Sequence, residues 1–131
     1  MVKYRFKCDC GKMYDSAETS MACPSCKKEN STEGNGVIQI HRVSNYSGAF
    51  NAMNIFIDEQ PFGTLADGLS VKFVVPYGTH KYRATLFTVK KSDQPEVTLS
   101  AESPEAYIKT EVDFFGTKIH AKTSEKEKMP K

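Results

Sequence analysis

The chain has 131 residues, 18 Lys and Arg against 16 Asp and Glu, a formal charge of +2, 39% hydrophobic residues and no Trp. That length suits one domain, or a small domain with an appendage, and the globular composition excludes a wholly disordered or fibrous chain. No stretch approaches the roughly 18 to 20 apolar residues that span a bilayer, and a charge so near balance argues against a purely electrostatic nucleic-acid binder.

All four cysteines fall in residues 1–28, the first predicted unit. It opens MVKYRFKCDCGK, where Tyr4 and Phe6 alternate with Lys3, Arg5 and Lys7 as a short strand entering the cysteines. The opening has no apolar core of a secretory signal, so the chain reads as cytoplasmic. The cysteines form two close pairs, Cys8-x-Cys10 and Cys23-Pro-Ser-Cys26. Each pair on a tight turn supplies two thiolates to one tetrahedral ion, which points to Zn2+ held by Cys8, Cys10, Cys23 and Cys26. Gly11 is free to take the positive φ that such a turn needs, and Pro24 fixes φ at the start of the second. A unit this short cannot hold itself by burial, so the metal would supply most of its folding free energy, about 10 to 16 kcal/mol at neutral pH. Two disulfides or a redox dithiol are the competing readings. The first needs an oxidising compartment, and the second a βαβ context that the sequence lacks.

The segment YRFKCDCGKMY followed by ACPSCKK resembles the zinc-ribbon family, matching its F-x-C-x-C-G and C-P-x-C knuckles. The resemblance implies a structural zinc on the four cysteines, closed to substrate. It departs from the usual pattern in two places: one residue, not two, separates Cys8 from Cys10, and Lys27 stands where glycine is common.

Residues 29–36 are polar and glycine-bearing, the composition of a linker. From 37 to 122 the hydrophobic period is two. Ile38 and Ile40, Ile55 and Ile57, Val71, Phe73 and Val75, Tyr82, Ala84 and Leu86, Val97 and Leu99, then Ile108, Thr110 and Val112 each alternate with their neighbours, and Ile119 and Ala121 close the series. Turn residues bound every run, so an all-β fold is expected, with seven or eight short antiparallel strands in a sandwich or small barrel after the cysteine unit. The run NIFIDEQPFG with VPYGTH resembles the PEGA-like β-sandwich domains, which implies a zinc ribbon followed by a compact, antiparallel, immunoglobulin-like β-sandwich, a non-catalytic module appended to others; Glu59 stands where that pattern has a turn glycine. The last nine residues, 123–131, have almost nothing to bury and read as a disordered charged tail.

No constellation for catalysis stands out. His41, His80 and His120 are scattered, and His80 reads as a turn-capping residue. Asp58 and Asp67 sit in turns, where Asp normally bonds its own backbone. Tyr46 and Phe50 lie in the longest connection, and Tyr77 in a Pro-Tyr-Gly turn; these three aromatics are the candidate partner-binding surface. The expected function is a non-enzymatic zinc-binding module with a protein partner. Nucleic-acid binding through Lys3, Arg5, Lys7, Lys12, Lys27 and Lys28, with Tyr4, Phe6 and Tyr14, is the weaker alternative, because four thiolates around a dication return most of that basic surplus. Small-molecule or carbohydrate binding by the sandwich loops is the third reading.

Overall fold

A computed structural model describes residues 2–44, 52–86, 89–113 and 117–129. Among the described residues twelve strands form in chain order: β1 (Lys3–Lys7), β2 (Met13–Ser16), β3 (Ser20–Ala22), β4 (Glu29–Ser31), β5 (Gly36–Arg42), β6 (Met53–Ile57), β7 (Gln60–Leu65), β8 (Ser70–Val75), β9 (Gly78–Thr85), β10 (Glu96–Leu99), β11 (Glu105–Val112) and β12 (Ile119–Ser124). A 3₁₀ turn at Lys126–Lys128 follows. The expected all-β class is what forms.

The alternation read in the sequence decides which side chains meet. Ile38 and Ile40 on β5, Val71 and Phe73 on β8, and Ile108 and Val112 on β11 turn to one side of a six-stranded sheet ordered β12-β11-β5-β8-β1-β2. Ile55 and Ile57 on β6, Tyr82 and Ala84 on β9, and Val97 and Leu99 on β10 turn towards them from a four-stranded sheet ordered β10-β9-β6-β7. The shared apolar layer makes the sandwich, and all eleven of Ile38, Ile40, Ile55, Ile57, Val71, Phe73, Tyr82, Leu86, Leu99, Ile108 and Val112 are buried in it. The sheets approach closely at Gly36, where an added Cβ would lie 2.5 Å from the Leu99 side chain.

Two features differ from the sequence expectation. Strand pairing is mixed, not wholly antiparallel: β11 runs parallel to β5, and β1 parallel to β8. Hydrophobic period fixes which face a strand buries but carries no information about the direction of its neighbour. The boundaries drawn at 29–36 and 123–131 also need correction. The expected linker contains β4, which pairs with β3, and the expected tail begins inside β12 and carries the buried Met129. Polar strands of three residues leave no period to read.

The cysteine-bearing segment thus shares a sheet with the sandwich while keeping its own apolar cluster. Phe6, Tyr14, Cys8, Cys23 and Val74 form that cluster, with Tyr4 against it, apart from the large core between the sheets. Val74 lies on the outer face of β8, so the small cluster is built on the back of the sandwich.

Candidate metal centre

Two turns of like construction bring the four thiols together. In the first, the Cys8 N–H donates to Lys12 O at 2.8 Å and the Gly11 N–H to Cys8 O at 2.8 Å. In the second, the Cys23 N–H donates to Lys28 O at 2.8 Å and the Lys27 N–H to Cys23 O at 2.9 Å. Gly11 has φ +96° and Lys27 has φ +70°, so the two residues play the same part, and the lysine does so against its steric preference. The single residue between Cys8 and Cys10 does not prevent the turn.

The resulting geometry suits a metal. Cys8 Sγ lies 3.4 Å from Cys26 Sγ, and Cys10 Sγ 3.6 Å from Cys23 Sγ. All four sulfurs lie within 4.8 Å of one another. An ion bound tetrahedrally at about 2.3 Å has sulfur–sulfur edges of about 3.8 Å, so the cluster needs only small adjustments to close on one. The cysteines are free thiols, with Cys8 and Cys23 buried and Cys10 and Cys26 exposed.

Backbone amides prepare the Cys8 and Cys23 sulfurs for anionic character. The Cys10 amide, then the Asn30 side chain, pull the Cys8 thiol down to about 6 against the opposition of burial. The Cys26 and Ser25 amides lower Cys23. Cys26 feels the Lys28 amide pulling down, but its hydrogen bond with Cys8, burial, and the thiols of Cys10 and Cys23 push it up to about 11. Four sulfurs this close resist carrying four negative charges unless a cation is among them.

Asn30 was invisible to sequence reasoning, since it lies in the stretch read as linker. Its side chain donates to the Tyr14 hydroxyl at 2.8 Å, and that hydroxyl donates to Met21 O at 2.8 Å. The Tyr14 ring stacks on Phe6 with centroids 5.5 Å apart. Burial raises the Tyr14 hydroxyl, helped by the nearby thiols, so it stays a neutral donor. Lys28 closes the two turns together through a 2.5 Å ion pair with Asp9.

Most of the basic residues offered for nucleic acid are engaged inside the chain. Arg5 spans Asp15 and the carbonyls of Phe62 and Thr64, and Lys7 donates to Pro61 O at 3.0 Å. Lys27 reaches Pro24 O at 3.3 Å, and Lys28 is paired as above. Phe6 and Tyr14 are buried, and the Tyr4 ring lies under the Lys72 ammonium at 5.2 Å.

The other candidate residues fall elsewhere. Tyr77 is exposed and lines a cleft on the outer face of the six-stranded sheet. Tyr46 and Phe50 lie outside the described residues. His80 bridges two turns, with Nδ1 2.6 Å from Asp58 Oδ2 and Nε2 2.7 Å from Pro76 O. His41 pairs with Ser70, and His120 stands 3.8 Å from Asp93. Asp67 accepts from the Ser44 hydroxyl and lies beside Arg42. Each histidine therefore has its own separate partner.

No protein-family model matches the chain, and no curated protein matches it in sequence. Among the described residues, no helix is long and apolar enough to cross a membrane.

Proposed function

We propose that the chain is a non-enzymatic, zinc-binding interaction module, in which a ribbon-type four-cysteine centre is fused to the back of a PEGA-like β-sandwich. The observation that carries this reading is the convergence of Cys8, Cys10, Cys23 and Cys26 to within 4.8 Å on two matched turns. Sulfur donors in a tetrahedral set favour zinc, and a zinc with four protein ligands keeps no open position for substrate. Such a centre acts structurally: it fixes β1 and β2 and so shapes the sheet face that they extend. Interaction is favoured over nucleic-acid binding because Arg5, Lys7, Lys27 and Lys28 already serve intramolecular acceptors.

Native mass spectrometry of the untreated protein should show one zinc per chain, and cobalt substitution should give a tetrahedral thiolate spectrum. Metal-free protein carrying two disulfides would overturn the metal assignment. Tight oligonucleotide binding that weakens steeply with salt would overturn the interaction reading, since phosphate contacts release counterions.

A further inference from the structure

The outer face of the six-stranded sheet carries an unusual row. Following the register across the strands, Ser124 on β12 pairs with Tyr107 on β11, Tyr107 with Gln39 on β5, and Gln39 with Lys72 on β8. Lys72 pairs in turn with Tyr4 on β1, and Tyr4 with Ser16 on β2. Two tyrosines thus flank an amide and an ammonium in one line at right angles to the strands. The solvent face of a sheet is ordinarily a flat polar surface. Here two clefts of about 340 and 690 Å³ lie on it, and both are lined by Tyr4, Gln39, Lys72 and Lys126.

Lys126 belongs to the charged C-terminal segment, and that segment walls the clefts. The chain leaves β12 at Ser124, the end of the row, and makes one 3₁₀ turn closed by Lys128 N–H to Glu125 O at 3.0 Å and Met129 N–H to Lys126 O at 3.2 Å. Glu127 and Met129 then line the larger cleft together with Val2, Tyr4 and Ala17. The Glu127 carboxylate is near enough to Tyr107 to add to the burial and the Glu105 contact that push its hydroxyl up to about 12. Met129 is 7% exposed, although it belongs to neither of the two apolar clusters. A segment whose sequence has almost nothing to bury places its one large apolar side chain against the sheet.

We propose that this face is a peptide-binding groove, filled in part in cis by the 3₁₀ turn and Met129 of residues 125–129, and that its partner is a short peptide of the same chemistry. That chemistry is one unbranched apolar anchor next to alternating acidic and basic side chains. The resident strap shows what the groove accepts: methionine among Val2, Tyr4 and Ala17, with Lys126 and Glu127 beside a face that itself presents Lys72, Glu18 and Glu105. Methionine suits such a socket because its flexible thioether adapts to irregular apolar walls and packs on aromatic rings. Tyr77 also lines the smaller cleft. A partner peptide must displace the strap, so the strap sets the threshold for binding.

The proposal rests on the chain being an interaction module, and zinc content is measured on every preparation so that the two fail separately. The probe is a fluorescein-labelled, C-terminally amidated peptide of residues 124–129, titrated into the full chain and followed by anisotropy. Met129→Glu should free the groove, so the peptide should bind that variant roughly tenfold tighter than it binds the wild-type chain, as expected when release of a competing state raises the competent fraction. Lys72→Glu added to Met129→Glu should weaken binding, and a probe with glutamate in place of methionine should not bind. Met129→Leu, which keeps an apolar but branched anchor, should fall between wild type and Met129→Glu. Should Met129→Glu impair folding, Met129→Ser supports the same comparison. Equal binding to wild type and Met129→Glu, or equal binding of the two probes, would overturn the proposal. Zinc-loaded protein that binds neither probe sinks the groove and leaves the metal reading standing. Preferential capture of a single-stranded oligonucleotide on the same face would sink the groove and the interaction reading together.

Discussion

Lys27 holds a backbone conformation, φ +70°, that costs an ordinary side chain about 1 to 2 kcal/mol and glycine nearly nothing. Glycine gives back about 0.4 to 1 kcal/mol through the freedom of its unfolded chain. The difference favours Lys27→Gly by up to about 1.6 kcal/mol, and the lost contact from Lys27 Nζ to Pro24 O is an exposed 3.3 Å interaction. Thermal unfolding of zinc-loaded Lys27→Gly should therefore show a raised midpoint; a lowered one would mean that the lysine side chain, not the φ angle, governs the turn.

A second residue-scale expectation concerns acid. Asp93 is held below its ordinary value of 3.8 chiefly by its hydrogen bond to Lys118, with the Ala121 amide assisting. Asp113 is lowered by the Thr117 hydroxyl and amide. For Asp58, burial pushes up but is outweighed by the Lys81 amide and His80. A carboxyl whose folded value is depressed adds stability that is present above its unfolded value and lost as pH falls through the folded one. The loss should thus be confined below about pH 4, and Asp93→Asn should flatten the stability curve there while leaving its shape near neutrality unchanged. An unaltered slope below pH 4 would show that the Lys118 pair contributes nothing.

Among the elements, β1 shows best what a sequence does and does not record. Its alternation and its entry into the first cysteine pair are legible, because both are local. Its parallel pairing with β8 is not, because Tyr4 and Lys72 meet across about half the length of the chain and no periodicity marks the partner. The anchor is Arg5, which forms a two-pronged pair with Asp15 at 2.7 and 3.2 Å. It also donates to Thr64 O at 2.7 Å and Phe62 O at 3.1 Å, and its guanidinium lies 5.3 Å from the Phe73 ring centroid. In the sequence this arginine looks like one more surface cation of a basic strand. A planar fork with five donors is what serves a carboxylate and two carbonyls at once, so lysine cannot replace it. Arg5→Ala should cost about 1.5 to 3 kcal/mol, the range for hydrogen bonds to a charged group, and Arg5→Lys should recover only part of it. Equal stability of Arg5→Lys and the wild-type chain in urea would refute the fork argument.

At the same scale, the four thiols were readable because metal geometry demands paired ligands on tight turns, which leaves a spacing in the sequence. Asn30 was not, because a side chain that steadies Tyr14 and Cys8 from a three-residue polar strand leaves no spacing and no period. Val74 is a similar case: its outward position follows from the alternation, but the fact that Phe6 and Tyr14 cover it depends on β1 docking beside it.

For the whole molecule, two apolar clusters share one sheet, and that arrangement determines what metal loss should do. The large cluster between the sheets contains no residue of β1 or β2, so it does not need the metal. The small cluster consists of Phe6, Tyr14, Cys8, Cys23 and Val74, far too little apolar surface to order the segment unaided. Between them stands β1, held to the sandwich through Arg5 and Lys7 and leading into the first cysteine turn at Cys8. Chelation should therefore melt the turns and the β3–β4 hairpin, weaken β1, and leave the sandwich folded. Hydrogen exchange followed by mass spectrometry should show protection lost across residues 8–31 and reduced across 3–7. The amides of β8 that face β1 should exchange faster, because losing that neighbour turns β8 into a sheet edge. The strands β5, β6, β9 and β11 should keep their protection. Uniform loss of protection on chelation would show that both clusters fold as one cooperative unit. Unchanged protection across residues 8–31 would show that a metal on the four thiols does not support the fold at all.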